Sequence, residues 1–380
     1  MRKFLYLISD TGGGHRVAAR AVVSTMQSHG ANKDVHEIID VFTMGNFFVN
    51  WLFGKTYGPM ISRIPWMYEF LFYTFNNPFL FYVAFWANYF MLGPQIEKFI
   101  KKFQPDVIVS LHPLANHLIV RVLKHAKLFG KIPIITVVLD PITLHRSWIC
   151  ADVDKIVVAT EEARDLTISY GMPPEEIVVI GLPVDPKFSL QSPPQEEIRK
   201  KIGLEEKTFT IMLMGGGDGM GNLEKFTASL YYSGLPIQLI VVAGRNRKLQ
   251  SHLEEMAKEG EIPLKVFGYT QDVPDLMAGS DLLLTKAGPG SIAEALLKEI
   301  PVIIISYVPG QEEGNVRWVE EEKFGKLVED PTDVPDIVEN LMVGDNLQKM
   351  RDTMRTIKRP NAAHEIVELI LKFTEKKKNE

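Results

Sequence analysis

Short runs that are apolar on both faces alternate with helical patterns along this whole chain. Strands buried under helices on both sides of a parallel sheet read this way, whereas half-exposed strands alternate apolar and polar residues. In the first half the runs are 3–8, 35–39, 106–110, 133–139, 155–159 and 177–180. In the second half they are 209–214, 236–242, 263–267, 281–284, 301–305 and 325–328. Two such series predict an α/β chain with two doubly wound, Rossmann-like domains and parallel sheets. The expected bounds are 1–185 and 186–358, with Gly181-Leu182-Pro183-Val184-Asp185-Pro186 as the linker. Residues 359–380 carry one helical apolar stripe, Ile366, Leu369, Ile370 and Phe373. That stripe must dock, and the first domain is its candidate seat.

Composition removes several classes. A length of 380 residues suits two ordinary domains. The net charge of −5 argues against general nucleic-acid affinity. The single cysteine, Cys150, builds neither a disulfide framework nor a cysteine metal site. Ser9-Asp10 interrupts the first apolar run, so no secretory leader is expected. The longest apolar run, Phe79 to Leu92, is about 14 residues, and a spanning helix needs about 20.

The stretch 47–90 breaks the alternation. It holds nearly half of the chain's aromatic residues, and its only charges are Lys55, Arg63 and Glu69. It is too long for an ordinary βα connection. One reading is a buried helical pair. The other is a surface that dips into lipid through Trp51, Phe53, Trp66, Phe72, Phe81 and Trp86.

Four loops carry the candidate chemistry. Ser9-Asp10-Thr11-Gly12-Gly13-Gly14-His15-Arg16 joins a strand to a helix. Read alone it is a phosphate loop or a tight turn with a solvated histidine. Val17 stands where a dinucleotide fingerprint needs its third glycine, and no GxxxxGK[ST] occurs. Met214 to Gly221 supplies Gly216, Gly217 and Gly219, a possible nest for anionic oxygens. Lys286-Ala287-Gly288-Pro289-Gly290-Ser291 leads into a helix that is expected to start near Ser291. There Ser291 and Glu294 have capping-box spacing; alternatively, a diphosphate sits at the helix N-terminus and Glu294 on a ribose. Gln311, Glu312 and Asn315 follow strand 301–305, where they would read sugar hydroxyls or form a polar surface loop.

Seven motifs in order resemble the monogalactosyldiacylglycerol synthase group of glycosyltransferases, relatives of the lipid II-forming transferase. They are Ser9–Arg16; Ser110-Leu111-His112-Pro113-Leu114 with His117; Thr136–Asp140 with Thr143, His145 and Trp148; Gly181–Val184; Leu213–Gly221; Lys286–Ala295; and Pro309–Asn315. The resemblance implies a GT-B fold, two Rossmann-like domains facing across a cleft. It implies a UDP-hexose on the second domain, with Glu294 on the ribose, Ser291 near the diphosphate, Gln311 and Glu312 on the hexose, and Phe267 and Gly268 at uracil. It implies diacylglycerol on the first domain, with Gly13, Gly14, His112 and His145 on the acceptor side. Lys286 and Arg245 are candidate cations beside the diphosphate. Such enzymes need no bound metal, and no cofactor is expected beyond the donor substrate. The aromatic insert of plant members is composed differently from 47–90.

The expected reaction is an inverting transfer of galactose or glucose from UDP to diacylglycerol at a membrane surface. Anionic lipids are candidate partners, and the expected place is cytoplasmic and membrane-peripheral. His15 is the expected base, because imidazole titrates near about 6.5. Asp140 or His145 would position it or the acceptor. The rivals are a transferase with a polyprenyl, sterol or glycolipid acceptor, a UDP-sugar 2-epimerase, and a non-catalytic UDP-sugar sensor.

Overall fold

The computed structural model describes residues 1–10, 13–30, 33–44, 60, 64–216 and 222–379, with side chains through 375. The chain divides into two compact units, Met1–Pro186 with Val308–Gln311 and Asn361–Glu380, and Lys187–Tyr307 with Glu312–Pro360.

The first unit holds β1 (Lys3–Ile8), β2 (Val35–Asp40), β3 (Val107–Ser110), β4 (Ile134–Val137), β5 (Lys155–Val158) and β6 (Ile177–Val179). They form one parallel sheet in the order β2-β1-β3-β4-β5-β6. Its helices are α1 (Gly14–Ser28), α2 (Pro65–Phe75), α3 (Pro78–Phe103), α4 (Pro113–His125) and α5 (Glu161–Ser169). Residues of β3 and β4 are buried throughout, as their doubly apolar sequence requires. Proline opens α2, α3 and α4, where its fixed φ fits the first turn and its missing N–H costs nothing.

The second unit holds β7 (Phe209–Met214), β8 (Ile237–Gly244), β9 (Leu264–Gly268), β10 (Leu282–Lys286), β11 (Val302–Ser306) and β12 (Gly325–Leu327). Its parallel order is β12-β11-β10-β7-β8-β9. The helices are α6 (Gln195–Lys201), α7 (Leu223–Tyr231), α8 (Arg247–Ala257), α9 (Val273–Ala278), α10 (Pro289–Lys298), α11 (Glu313–Glu321), α12 (Val334–Met342) and α13 (Asn346–Ile357). All twelve expected strands are present, with ends that shift by one or two residues. The last helix, α14 (Ala362–Asn379), belongs to the first unit. It packs on α1 and buries Ala362, Ile366, Val367 and Ile370 in that unit's core.

The insert falls partly outside the described residues, Trp51 and Phe53 among them. Its described part is α2 and the first half of α3. Trp66, Phe70, Tyr73, Phe79, Val83, Trp86 and Phe90 are exposed. On α3 the positions 79, 83, 86 and 90 form one stripe at helical spacing. Phe81 corrects the expectation for its neighbours. It is buried, with its ring 4.8 Å from that of His117, because its position points toward α4. Phe72 is half-buried against His145. Among the described residues no helix is long and apolar enough to cross a membrane.

Candidate functional site

In an open parallel sheet, ligands meet the chain where neighbouring strands send their connections to opposite sides. In the first unit that point lies between β1 and β3. At the start of the helices that follow those two strands stand His15, in the first turn of α1, and His112, just before α4.

Gly13 precedes α1 with φ +76°, a left-handed conformation that favours glycine. A Cβ on Gly13 or Gly14 would meet nothing within 4 Å, so the loop leaves open space there. His15 stands in the first turn of α1. Its Nδ1 lies 2.6 Å from the Leu111 carbonyl oxygen. A carbonyl only accepts, so Nδ1 carries the proton and Nε2 keeps the lone pair. Burial pulls the His15 pKa below its ordinary 6.5, against smaller upward pulls from the Leu111 hydrogen bond and Asp10. The ring is therefore neutral at physiological pH, with a basic Nε2. Arg16 clamps Asp10 through two hydrogen bonds of 2.6 and 2.7 Å, which ties the loop to the helix it opens.

His112 is buried, and its ring lies edge-on to His15 at 4.9 Å. Its Nδ1 is buried without a hydrogen-bond partner, and burial and the neighbouring His15 hold its pKa well below 6.5. Trp148, with its ring 6.4 Å from that of His15, donates its indole N–H to Asp140 at 2.6 Å. Asn116 donates to the Trp148 carbonyl at 2.9 Å and accepts from Thr136 at 3.0 Å, so the whole corner is fixed from below. Asp140 thus supports the wall beside His15.

His145 is differently used. Its Nε2 donates to the Phe72 carbonyl at 3.2 Å, and its Nδ1 accepts from the Ser147 backbone at 3.2 Å. Both ring nitrogens are engaged by the protein, so any part His145 takes on the acceptor side is through the placement of α2 and the Ser147 turn. His117, the other histidine of α4, has a buried Nε2 without a partner beside the rings of Phe81, Tyr82 and Phe85. Among the described residues no group of three or more His, Cys, Asp or Glu could hold a metal.

In the second unit the switch point lies between β7 and β10. Gly216 follows β7 with φ +70°, while Gly217 and Gly219 lie outside the described residues. The β10 loop differs from its expected form. Proline at the first helical position starts α10 at Pro289, with Gly288 before it and no side-chain cap. Ser291 is accordingly a first-turn residue and not the cap, because Pro289 nucleates the helix two residues earlier. The first-turn N–H groups of Gly290 and Ser291 have no earlier helical carbonyl to bond. Glu294 stands one turn further on, partly exposed.

Lys286 ends β10 and pairs with Glu312 at 2.8 Å. A Cβ on Gly288 would lie 3.1 Å from Lys286 Cε, so glycine there makes room for the lysine. Glu312 is buried at the end of the loop after β11. Asn315 is buried too; its Nδ2 donates to the Ala287 carbonyl at 2.9 Å, so α11 braces the β10 loop, and its Oδ1 is buried without a hydrogen-bond partner among the described residues. Arg245, just past β8, is exposed with its guanidinium 5.3 Å above the Tyr269 ring. Phe267 and Gly268 end β9, and a Cβ on Gly268 would lie 2.7 Å from Gln250 Oε1. Gln311 is grouped with the first unit, where Tyr68 donates to its Oε1 at 2.7 Å and its Nε2 reaches Asp140 at 3.4 Å. Sequence reasoning missed Tyr68, and it also missed the Leu111 carbonyl as the group that sets the His15 tautomer.

The two parallel sheets, each with a glycine-bearing loop at its switch point, define the class by architecture: the GT-B fold. The fold matches MurG of Acinetobacter baumannii, with a TM-score of 0.60 at 14% identity over 98% of this chain and 100% of that one. It also matches HepE of Anabaena solved with UDP-glucose, with a TM-score of 0.52 at 14% identity over 100% and 99%. The family model described as monogalactosyldiacylglycerol (MGDG) synthase matches residues 15–184, and that of the glycosyltransferase family 28 C-terminal domain matches 210–370. A probable chloroplastic monogalactosyldiacylglycerol synthase of Nicotiana tabacum is 34% identical over 378 residues, covering 96% of this chain and 70% of that protein. The chloroplastic monogalactosyldiacylglycerol synthase of Spinacia oleracea is 32% identical over 380 residues, covering 96% and 71%. The chain belongs to the monogalactosyldiacylglycerol synthase family.

Proposed function

We propose that this protein transfers a hexose from UDP-hexose to the free hydroxyl of diacylglycerol at a membrane surface, with inversion at the anomeric carbon. The observation that carries the reading is the His15 imidazole. Its Nδ1–H is pinned by the Leu111 carbonyl, its ring is held neutral by burial, and its Nε2 is left basic. Nε2 takes the proton of the acceptor hydroxyl as that oxygen attacks the anomeric carbon. The C–O bond to UDP breaks on the opposite face, and UDP leaves with the bonding pair. One displacement turns the α-linked donor into a β-glycoside.

In this reading the donor follows the strand ends of the second unit. Arg245, just past β8, and Phe267 and Gly268, at the end of β9, take the uracil end. The α10 N-terminus meets the diphosphate with first-turn N–H groups and the positive end of its dipole, and Lys286 adds a cation. Glu294 holds the ribose. Gln311 and Glu312, after β11, meet the hexose. No cofactor takes part in this reading. The exposed aromatic face of α2 and α3 supplies the lipid contact. A panel crossing UDP-galactose and UDP-glucose with diacylglycerol, polyprenyl, sterol and glycolipid acceptors tests it. UDP release and a β-monohexosyldiacylglycerol product should appear only with diacylglycerol. Product on another acceptor alone refutes the assignment. Glu294→Ala should weaken UDP binding, and unchanged affinity removes its ribose role.

A further inference from the structure

Helix α2 has two aromatic faces with different neighbours. Trp66, Phe70 and Tyr73, at i, i+4 and i+7, are exposed. Tyr68, Phe72 and Asn76, at i, i+4 and i+8, are held by the protein. Asn76 Oδ1 accepts from the Arg146 backbone at 2.8 Å. The Phe72 carbonyl accepts from His145, and the Phe72 ring packs on the His145 ring at 5.0 Å. A Cβ on Gly310 would lie 3.1 Å from the Phe72 ring, and Gly310 has φ +77°. Both features require glycine beside that ring. At the end of this stripe the Tyr68 hydroxyl donates to Gln311 Oε1 at 2.7 Å.

Those contacts fix which way the Gln311 carboxamide faces. Asp140, with Oδ2 taken by the Trp148 indole, offers Oδ1 to Gln311 Nε2. A carboxylate only accepts, so the amide nitrogen points to Asp140 and the amide oxygen to Tyr68. A free glutamine turns its amide over readily, and one that discriminates sugar hydroxyls gains from being held.

We propose that Tyr68 is a positioning residue for hexose selection, orienting the Gln311 carboxamide from the same helix that presents Trp66, Phe70 and Tyr73 outward. The proposal rests on the reading of Gln311 as a hexose contact. It assigns part of the choice between axial and equatorial hydroxyls to a side chain of the aromatic insert, 243 residues from the amide it holds. Hexose selection and membrane docking then share one short helix.

Tyr68→Phe keeps the ring and removes only the hydroxyl. With diacylglycerol vesicles and full-length protein, it should raise KM for UDP-hexose about 5-fold, the worth of one neutral hydrogen bond. It should also shift the ratio of kcat/KM for UDP-galactose over UDP-glucose. Inhibition by UDP, which lacks the hexose, should be unchanged. Gln311→Ala should show the larger loss, and the double variant should be no worse than Gln311→Ala alone. If Gln311→Ala leaves donor kinetics untouched, the hexose reading of Gln311 fails and the proposal falls with it. If Gln311→Ala matters while Tyr68→Phe matches wild type, or the two losses add in full, that reading stands and the positioning role of Tyr68 is overturned. A parallel loss of UDP inhibition would mark a merely structural role and overturn it too.

Discussion

Phe79 and Phe90 stand on the outward stripe of α3 with 73% and 72% of their surface exposed. Full burial of a Phe side chain is worth about 1.5–3 kcal/mol. With nearly three-quarters of each ring in water, entry into lipid should return about 1–2 kcal/mol per ring. Replacing both by Ser should therefore cost about 2–4 kcal/mol of membrane affinity, or about 30- to 1,000-fold in partition coefficient. Exposed substitutions change folding stability by about 0.5 kcal/mol or less each, so the thermal midpoint should hold. The assay is flotation with phosphatidylcholine vesicles containing diacylglycerol. Phe81→Ser supplies the contrast, because Phe81 is only 3% exposed. It should lower the thermal midpoint through loss of buried volume, with a cost of about 3–5 kcal/mol. If the Phe79/Phe90 double variant floats like wild type, this face does not meet lipid and the docking argument fails.

Other outcomes follow from the same structure. Burial lowers the pKa of His117 and of His145 from 6.5 to about 4 each. The unfolded chain then binds more protons below about 6.5, so the stability present above that pH is lost as pH falls toward 4. Each ring should cost about 2 kcal/mol between pH 6.5 and 5, read as a falling urea midpoint, and His117→Phe should flatten the slope; a slope unchanged by that variant contradicts the assignment. Lys286→Met removes the cation 2.8 Å from the buried Glu312 carboxylate. It should lower the thermal midpoint and weaken UDP binding together, by about tenfold or more for a charged hydrogen bond, and titration calorimetry showing wild-type UDP affinity would remove Lys286 from the diphosphate. Gly13→Ala forces a Cβ onto φ +76° and should cost about 1–2 kcal/mol while lowering kcat through the displaced His15; wild-type stability and kcat would show that the loop tolerates the strain.

The sheets were legible because buried parallel strands are written as continuous apolar runs, such as Ile134 to Val137, whose boundaries water does not blur. The switch-point loops were legible as glycine clusters at strand ends. The faces of the insert were not, since α2 and α3 are apolar nearly all round and no period separates Phe79 from Phe81. The start of α10 went astray because Ser291 offers a capping pattern, while Pro289 already has the φ of a first turn. Asn315 on α11 and His145 beyond β4 make tertiary contacts, with Ala287 and Phe72, that no local pattern announces. Tyr68 and Gln311 meet across 243 residues, a distance over which sequence carries no local signal.

The most direct test of the central claim is made on His15. His15→Ala should bind UDP with wild-type affinity by calorimetry and form no monohexosyldiacylglycerol from UDP-hexose and diacylglycerol vesicles. In wild type, kcat/KM should stay high as pH falls to 6.5 and decline only below it, because the base has a lowered pKa. Transfer by His15→Ala near the wild-type rate, or loss of UDP affinity equal to the loss of transfer, would contradict the assignment of His15 as the base.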